Sequence, residues 1–121
     1  MKYSENHTWV QMDNTIGIIG ITNQAQQELG EVIYIEFPSE GEKIQKGKEL
    51  AVIESRKSAI DVYSPISGEI VAINQQLKKN PETIQDNAET SGWLVKIRFD
   101  DKKELDQLMD EGQYEAYLLS S

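Results

Sequence analysis

A five-residue pattern, Pro-x-x-Gly-Glu, occurs twice in this chain and restricts its fold. It stands in "PSEGEKI" from Pro38 and in "PISGEIV" from Pro65. Pro38 and Pro65 are 27 residues apart, as are Gly41 and Gly68. An aromatic residue, Phe37 or Tyr63, shortly precedes each copy, and an aliphatic run follows. One turn used twice implies two similar β units related by a pseudo-twofold. The midpoint falls near residues 51 to 55, just before Arg56 and Lys57. A hairpin tip there is expected to project from the sandwich.

That hairpin is "ELAVIESRKSAIDVY", two β-type runs around Ser55-Arg56-Lys57-Ser58. Short hairpin turns favour Gly, Asn or Asp. This chain has 8 Gly and places none here. A two-residue turn at Arg56 and Lys57 opposes Ser55 to Ser58, Glu54 to Ala59, Ile53 to Ile60, Val52 to Asp61 and Ala51 to Val62. One face then collects Ala51, Ile53, Ile60 and Val62, a half-buried pattern. Lys57 stands at the apex with its ammonium in water. Acylation of such a lysine leaves the fold untouched and carries a group outward on four methylenes. Lysine amines are protonated at neutral pH, so a modifying enzyme is needed, and Glu54 and Asp61 are placed to guide it. The alternative is an ordinary solvated turn lysine. Composition and spacing leave that choice open.

Other strands are expected at Thr8 to Met12 and Thr15 to Ile21, around an Asp13-Asn14 turn. Glu31 to Phe37 alternates, with Val32, Tyr34 and Glu36 opposite Ile33, Ile35 and Phe37. Glu69 to Asn74 and Gly92 to Phe99 complete the set; Trp93, Val95, Ile97 and Phe99 share a face. "TNQAQQELG" reads as a helix capped by Thr22 or Asn23 and stopped at Gly30. "NPETI" reads as a single turn with Asn80 as cap. Asp101 and Glu104 have capping-box spacing, with Leu105, Leu108 and Met109 as a stripe packing on the sheet. Gly112 is expected to break that helix, and Tyr114, Tyr117 and Leu118 to form a second short turn.

The 121 residues suit one domain, residues 1–121, with a core over about 15–99 and a helical segment over about 101–119. A net charge of −9 disfavours nucleic acid. Zero Cys excludes disulfides and thiolate metal sites, and suits a reducing cytoplasm. No apolar run has the length of a membrane span, and "MKYSENHTWV" lacks a signal-peptide apolar region. The expectation is a monomer without nucleic acid or membrane partners, in a bacterial cytoplasm, or in mitochondria after removal of a transit peptide. His7, the single His, reads as structural; Trp9 and Trp93 read as core; Glu5, Asp13 and Glu31 read as a solvated face.

Several blocks together carry a resemblance over nearly the whole chain. They are "HTWV" from His7, "GITNQAQQELGEVIYIEFP" from Gly20, "ESRKSAIDVYSPISGEIVAIN" from Glu54, "NP" at Asn80-Pro81, "GWLVKI" and "YEAYL". The chain resembles the glycine cleavage H-protein family, lipoyl carriers of the biotinyl/lipoyl type. The resemblance implies a mostly β, lipoyl-type sandwich or flattened barrel with short helices, an N-terminal β/α extension and a C-terminal helix. It implies lipoate attached covalently to Lys57 of Glu-Ser-x-Lys, with Glu54, Ser55, Arg56 and Asp61 recognised by the modifying enzyme. It implies an arm cleft at His7, Thr8, Trp9 and Asp61. The implied partners are a glycine decarboxylase, an aminomethyltransferase, dihydrolipoyl dehydrogenase, and a lipoate ligase or lipoyl/octanoyl transferase. No catalytic or metal-binding residue is implied; the chain is a carrier, not an enzyme.

Three residues depart from that pattern. Thr8 stands where the family has an acidic residue, which weakens the case for holding an amine in the cleft. Arg56 replaces an aliphatic residue and adds a like charge beside Lys57. Ile60 replaces a polar residue. Two alternatives follow: an H-like lipoyl relay serving other chemistry, and an unmodified interaction scaffold. Biotin carriage is disfavoured, because its acceptors flank the lysine with Met, and Arg56 and Ser58 stand here.

Overall fold

The structure is a computed structural model and describes residues 1–120. The strands are β1 (Lys2–Tyr3), β2 (Thr8–Asp13), β3 (Ile16–Ile21), β4 (Val32–Glu36), β5 (Lys43–Ile44), β6 (Glu49–Ser55), β7 (Ala59–Tyr63), β8 (Gly68–Ile73) and β9 (Val95–Phe99). Between and after them come α1 (Asn23–Leu29), α2 (Gln76–Lys79), α3 (Thr83–Asn87), a 3₁₀ turn (Lys102–Gln107) and α4 (Glu111–Ser120). A six-stranded sheet, β1-β2-β3-β9-β8-β5, faces a three-stranded one, β4-β6-β7. Ile19, Ile70 and Ile97 from the first pack with Ile35, Ile53 and Val62 from the second in one core. The result is the expected mostly β, flattened-barrel fold with short helices.

The repeat joins these two sheets. Its copies pair with each other, Lys43 opposite Glu69 and Ile44 opposite Gly68. Gly47 N–H donates to Ser64 O, and Ser64 N–H to Lys48 O, at 2.8 and 2.9 Å. The ladder resumes with β6 against β7. Residues 43–69 are thus one long hairpin, its base in the larger sheet and its tip in the smaller. The two glycines do different work. Gly41 has φ +89°, whereas a Cβ on Gly68 would lie 2.1 Å from Arg98 O.

Other expectations shift. The first turn is Asn14-Thr15 rather than Asp13-Asn14: Asp13 pairs with Ile16, and Asn14 takes φ +57°. A bulge between Val32 and Tyr34 ends the simple alternation of β4, burying Val32 and Ile35 and exposing Ile33 and Tyr34. The last strand starts at Val95; Trp93 packs in a second cluster instead. α1 has the expected caps, with Thr22 Oγ1 accepting from Ala25 N–H and Gly30 N–H donating to Gln26 O. Asn80 closes α2, anchored by buried Leu77, and the following turn precedes α3. Asp101 caps the 3₁₀ turn through Lys103 N–H, but Glu104 accepts from Ser67 N–H and Oγ–H instead. Gly112 lies inside α4. The break comes at Met109, which exchanges both backbone hydrogen bonds with Tyr3. A reciprocal pair then starts α4: Gln113 N–H donates to Asp110 Oδ1, and Asp110 N–H to Gln113 Oε1.

Candidate functional site

The β6–β7 ladder has the register set out from the sequence: Ala51 opposite Val62, Val52 opposite Asp61, Ile53 opposite Ile60, Glu54 opposite Ala59. Ser55 N–H donates to Ser58 O at 2.8 Å. The tip closes without a left-handed residue at Arg56 or Lys57. Ser55 is the reason. Its nearly buried Oγ accepts from Lys57 N–H and Ser58 N–H at 3.3 and 3.2 Å, and its hydroxyl donates to Ser58 O. One side chain thus stabilises the turn that glycine would otherwise make accessible.

The tip is also tied sideways. Arg56 N–H donates to Glu31 O at 3.1 Å, and Arg56 Nε donates to the Glu31 carboxylate. Both side chains are largely exposed, so the ion pair itself contributes little. Glu31 is therefore a tip contact and not only part of a solvated face. Lys57 is exposed, and its ammonium has no ion pair or hydrogen bond among the described residues. Glu54 and Asp61 are exposed and share the outer face of the smaller sheet with Val52 and Ala59.

A cleft of about 250 Å³ adjoins the tip, lined by Asn6, His7, Ala25, Glu28, Leu29, Ser58 and Ile60. A larger groove of about 690 Å³ runs along β4 and α2 but contains no tip residue. Of the cleft residues named from the sequence, only His7 lines this space. Thr8 is buried with its hydroxyl on Ser4 Oγ, 2.6 Å away. Trp9 is buried against Gly20, and its Nε1–H donates to Ala88 O at 3.0 Å. Asp61 points away because strand side chains alternate, which turns its neighbour Ile60 inward. The α1 residues were missed. Ala25, Glu28 and Leu29 have i, i+3, i+4 spacing, so one helix face was available as a signal.

His7 adopts φ +63°, a conformation His tolerates better than most residues. Its Nδ1 lies 2.8 Å from Tyr114 Oη, which lies 2.8 Å from Thr22 Oγ1. The Tyr114 ring stacks on Tyr3, with centroids 4.7 Å apart and planes 6° from parallel. Burial raises the Tyr114 hydroxyl above the usual phenol pKa; the hydrogen bond with Thr22 opposes this, and Glu89 adds to it.

The whole chain, residues 1–121, matches the model of the family described as glycine cleavage H-protein. The chain belongs to the glycine cleavage H-protein family. A glycine cleavage system H protein of Parvibaculum lavamentivorans is 43% identical over 120 residues, covering 99% of this chain and 96% of the relative. One from Thermotoga maritima is 43% identical over 116 residues, covering 96% and 94%. The crystal structure of an H protein from Mycobacterium marinum superposes with a TM-score of 0.87 at 26% identity, covering 95% of this chain and 93% of that one. The H-protein family consists of carriers, so the chain is not an enzyme.

Proposed function

We propose that this chain is the lipoyl carrier of a glycine cleavage system, with lipoate in amide linkage on Lys57. The observation that carries this is the tip: an unpaired ammonium at the apex of a hydrogen-bonded hairpin, beside a cleft. The site fits the group. The lysine is accessible, and the cleft offers Ala25, Leu29 and Ile60 to an alkyl chain. Bound there, lipoate supplies a dithiolane that accepts the aminomethyl group of glycine. The protein does the rest. The hairpin holds the arm's root fixed, so one attachment point serves several partner sites at high effective concentration.

The modifying enzyme, a lipoate ligase or lipoyl/octanoyl transferase, meets Glu54 and Asp61 on the outer face, Arg56 beside the target, and a turn set by Ser55. Glu28 and His7 give the cleft a carboxylate and an imidazole suited to an amine. Thr8 adds no charge there, its hydroxyl being hydrogen-bonded to Ser4 Oγ. Glycine decarboxylase, aminomethyltransferase and dihydrolipoyl dehydrogenase are the partners in this reading, and the cytoplasm its location.

Intact mass of protein from a lipoate-replete host tests it. A lipoyl increment is expected that disappears in Lys57→Ala. Its absence from the parent chain would favour the unmodified scaffold. Reconstitution with a glycine decarboxylase then separates the alternatives: a lipoylated chain that never acquires the aminomethyl group is a relay for other chemistry.

A further inference from the structure

Tyr114 lies outside the cleft, yet its hydroxyl connects to both cleft walls. On one side it meets His7 Nδ1 at 2.8 Å; on the other it meets Thr22 Oγ1 at 2.8 Å. Thr22 caps α1, the helix that brings Ala25, Glu28 and Leu29 to the cleft. His7 Nε2, on the opposite edge of the ring, has no partner among the described residues. We propose that Tyr114 is a positioning residue of this carrier: its hydroxyl fixes the His7 imidazole and selects what Nε2 offers to the cleft. The consequence for cargo rests on the lipoyl reading above.

The proton count ties the tautomer of the neutral His7 ring to the direction of the hydroxyl row. Tyr114 has one hydroxyl proton for two neighbours, and Thr22 Oγ1 also accepts from Ala25 N–H at 3.3 Å. In one arrangement Thr22 donates to Tyr114 and Tyr114 donates to Nδ1. The proton of the neutral ring then sits on Nε2, and the cleft receives a donor. In the other, Nδ1–H donates to Tyr114 and Tyr114 donates to Thr22. Nε2 of the neutral ring is then an acceptor. A cationic amine is a donor, so an amine in the cleft selects the second arrangement. Passing from the first arrangement to the second releases the Nε2 proton to water and takes one up at Nδ1, while the Tyr114 and Thr22 hydroxyl hydrogens turn about their C–O bonds, so no side chain need repack. Around His7 stand Tyr114 and Tyr117 from α4, Thr22 and Glu28 from α1 and its cap, and Ser58 and Ile60 from the tip side.

The chain has a single His, so its imidazole ¹⁵N signals report this position alone. In the unmodified wild type at neutral pH, signals of one dominant tautomer are expected. Tyr114→Phe keeps the ring that stacks on Tyr3 and removes only the hydroxyl; it should abolish that dominance. Thr22→Val, whose side chain has no hydrogen bond to the imidazole, should shift the same signals, while Thr22→Ser should restore them. In the lipoylated chain carrying the aminomethyl group, Tyr114→Phe should speed spontaneous loss of that group to water about fivefold, the worth of one hydrogen bond. Unchanged His7 signals in a folded Tyr114→Phe chain overturn the proposal. So do shifted signals with unchanged cargo loss. A chain that never gains the lipoyl increment defeats the carrier reading instead, and the His7 signals of the unmodified chain still decide this one.

Discussion

The side chain of Lys57 lies over Gly30: a Cβ built on that glycine would stand 3.6 Å from Lys57 Cε and 3.7 Å from its Nζ. Gly30 closes α1, so the ammonium lies near a helix C-terminus, where backbone carbonyls concentrate partial negative charge. Such attraction contributes roughly 0.3–1 kcal/mol at an exposed site. That orients the lysine without trapping it, which suits a residue that an enzyme must reach.

Gly30→Ala separates backbone strain from crowding. The distances to Lys57 are ordinary van der Waals contact, so space is available. The backbone is the obstacle, at φ +73° and ψ −134°. Holding an alanine there costs about 1–3 kcal/mol. Urea unfolding should show that loss, while enzymatic lipoylation of Lys57 changes by less than about twofold. Full stability in the variant would show that the cap had rearranged.

Ser55→Ala tests how the tip does without glycine. The Ser55 hydroxyl makes three hydrogen bonds inside the turn. Removing it leaves the Lys57 and Ser58 amides to water, at a cost of about 1–2 kcal/mol. Amide hydrogen exchange should accelerate most at Lys57 and Ser58, and in the β8–β9 ladder by no more than the loss of global stability requires. Uniform acceleration across both sheets would place the effect elsewhere.

The two repeat glycines should respond differently. Gly68→Ala forces a methyl into Arg98 O at 2.1 Å and Ile97 Cγ2 at 2.5 Å, so β8 and β9 must separate. The cost should exceed that of ordinary overpacking, about 1–3 kcal/mol. Gly41 has nothing within 4 Å and only its φ of +89° to defend. Gly41→Ala should cost about 1–2 kcal/mol. Thermal melts of the pair check the order; equal losses would contradict it.

The hairpin was legible because alternation fixes register wherever one face is buried. Ile53 and Ile60 must both turn inward, and that carries Glu54 and Asp61 outward. The same alternation places Ile60, not Asp61, toward the cleft. In β4 one extra residue at the bulge changed which side chains reach the core, and no local residue type announced it. The 3.6-residue pattern after Asp101 failed for a similar reason. Tertiary partners won: Ser67 engaged Glu104, and Tyr3 engaged Met109. The cleft was the least legible part. Its walls come from the loop before β2, from α1 and from the hairpin, and only the fold brings these together.

The buried tyrosines predict an alkaline limit to stability. Tyr3 and Tyr114 both have pKa values raised above 10.0, first by desolvation and then by nearby carboxylates, with Glu89 acting on each. The folded chain therefore holds phenol protons that the unfolded chain releases near pH 10. Between those values the native state binds more protons, so stability falls as pH rises. Their contribution is complete below pH 10 and is lost as pH climbs through the folded values, at up to about 1.4 kcal/mol per pH unit for each tyrosine. Tyr114→Phe should be less stable than the parent at pH 8, by the worth of its hydroxyl contacts, about 1 kcal/mol. Above pH 10 its stability should decline more slowly, so the gap narrows. Urea unfolding from pH 8 to pH 11 reads both effects, and parallel declines in parent and variant would remove Tyr114 from the account.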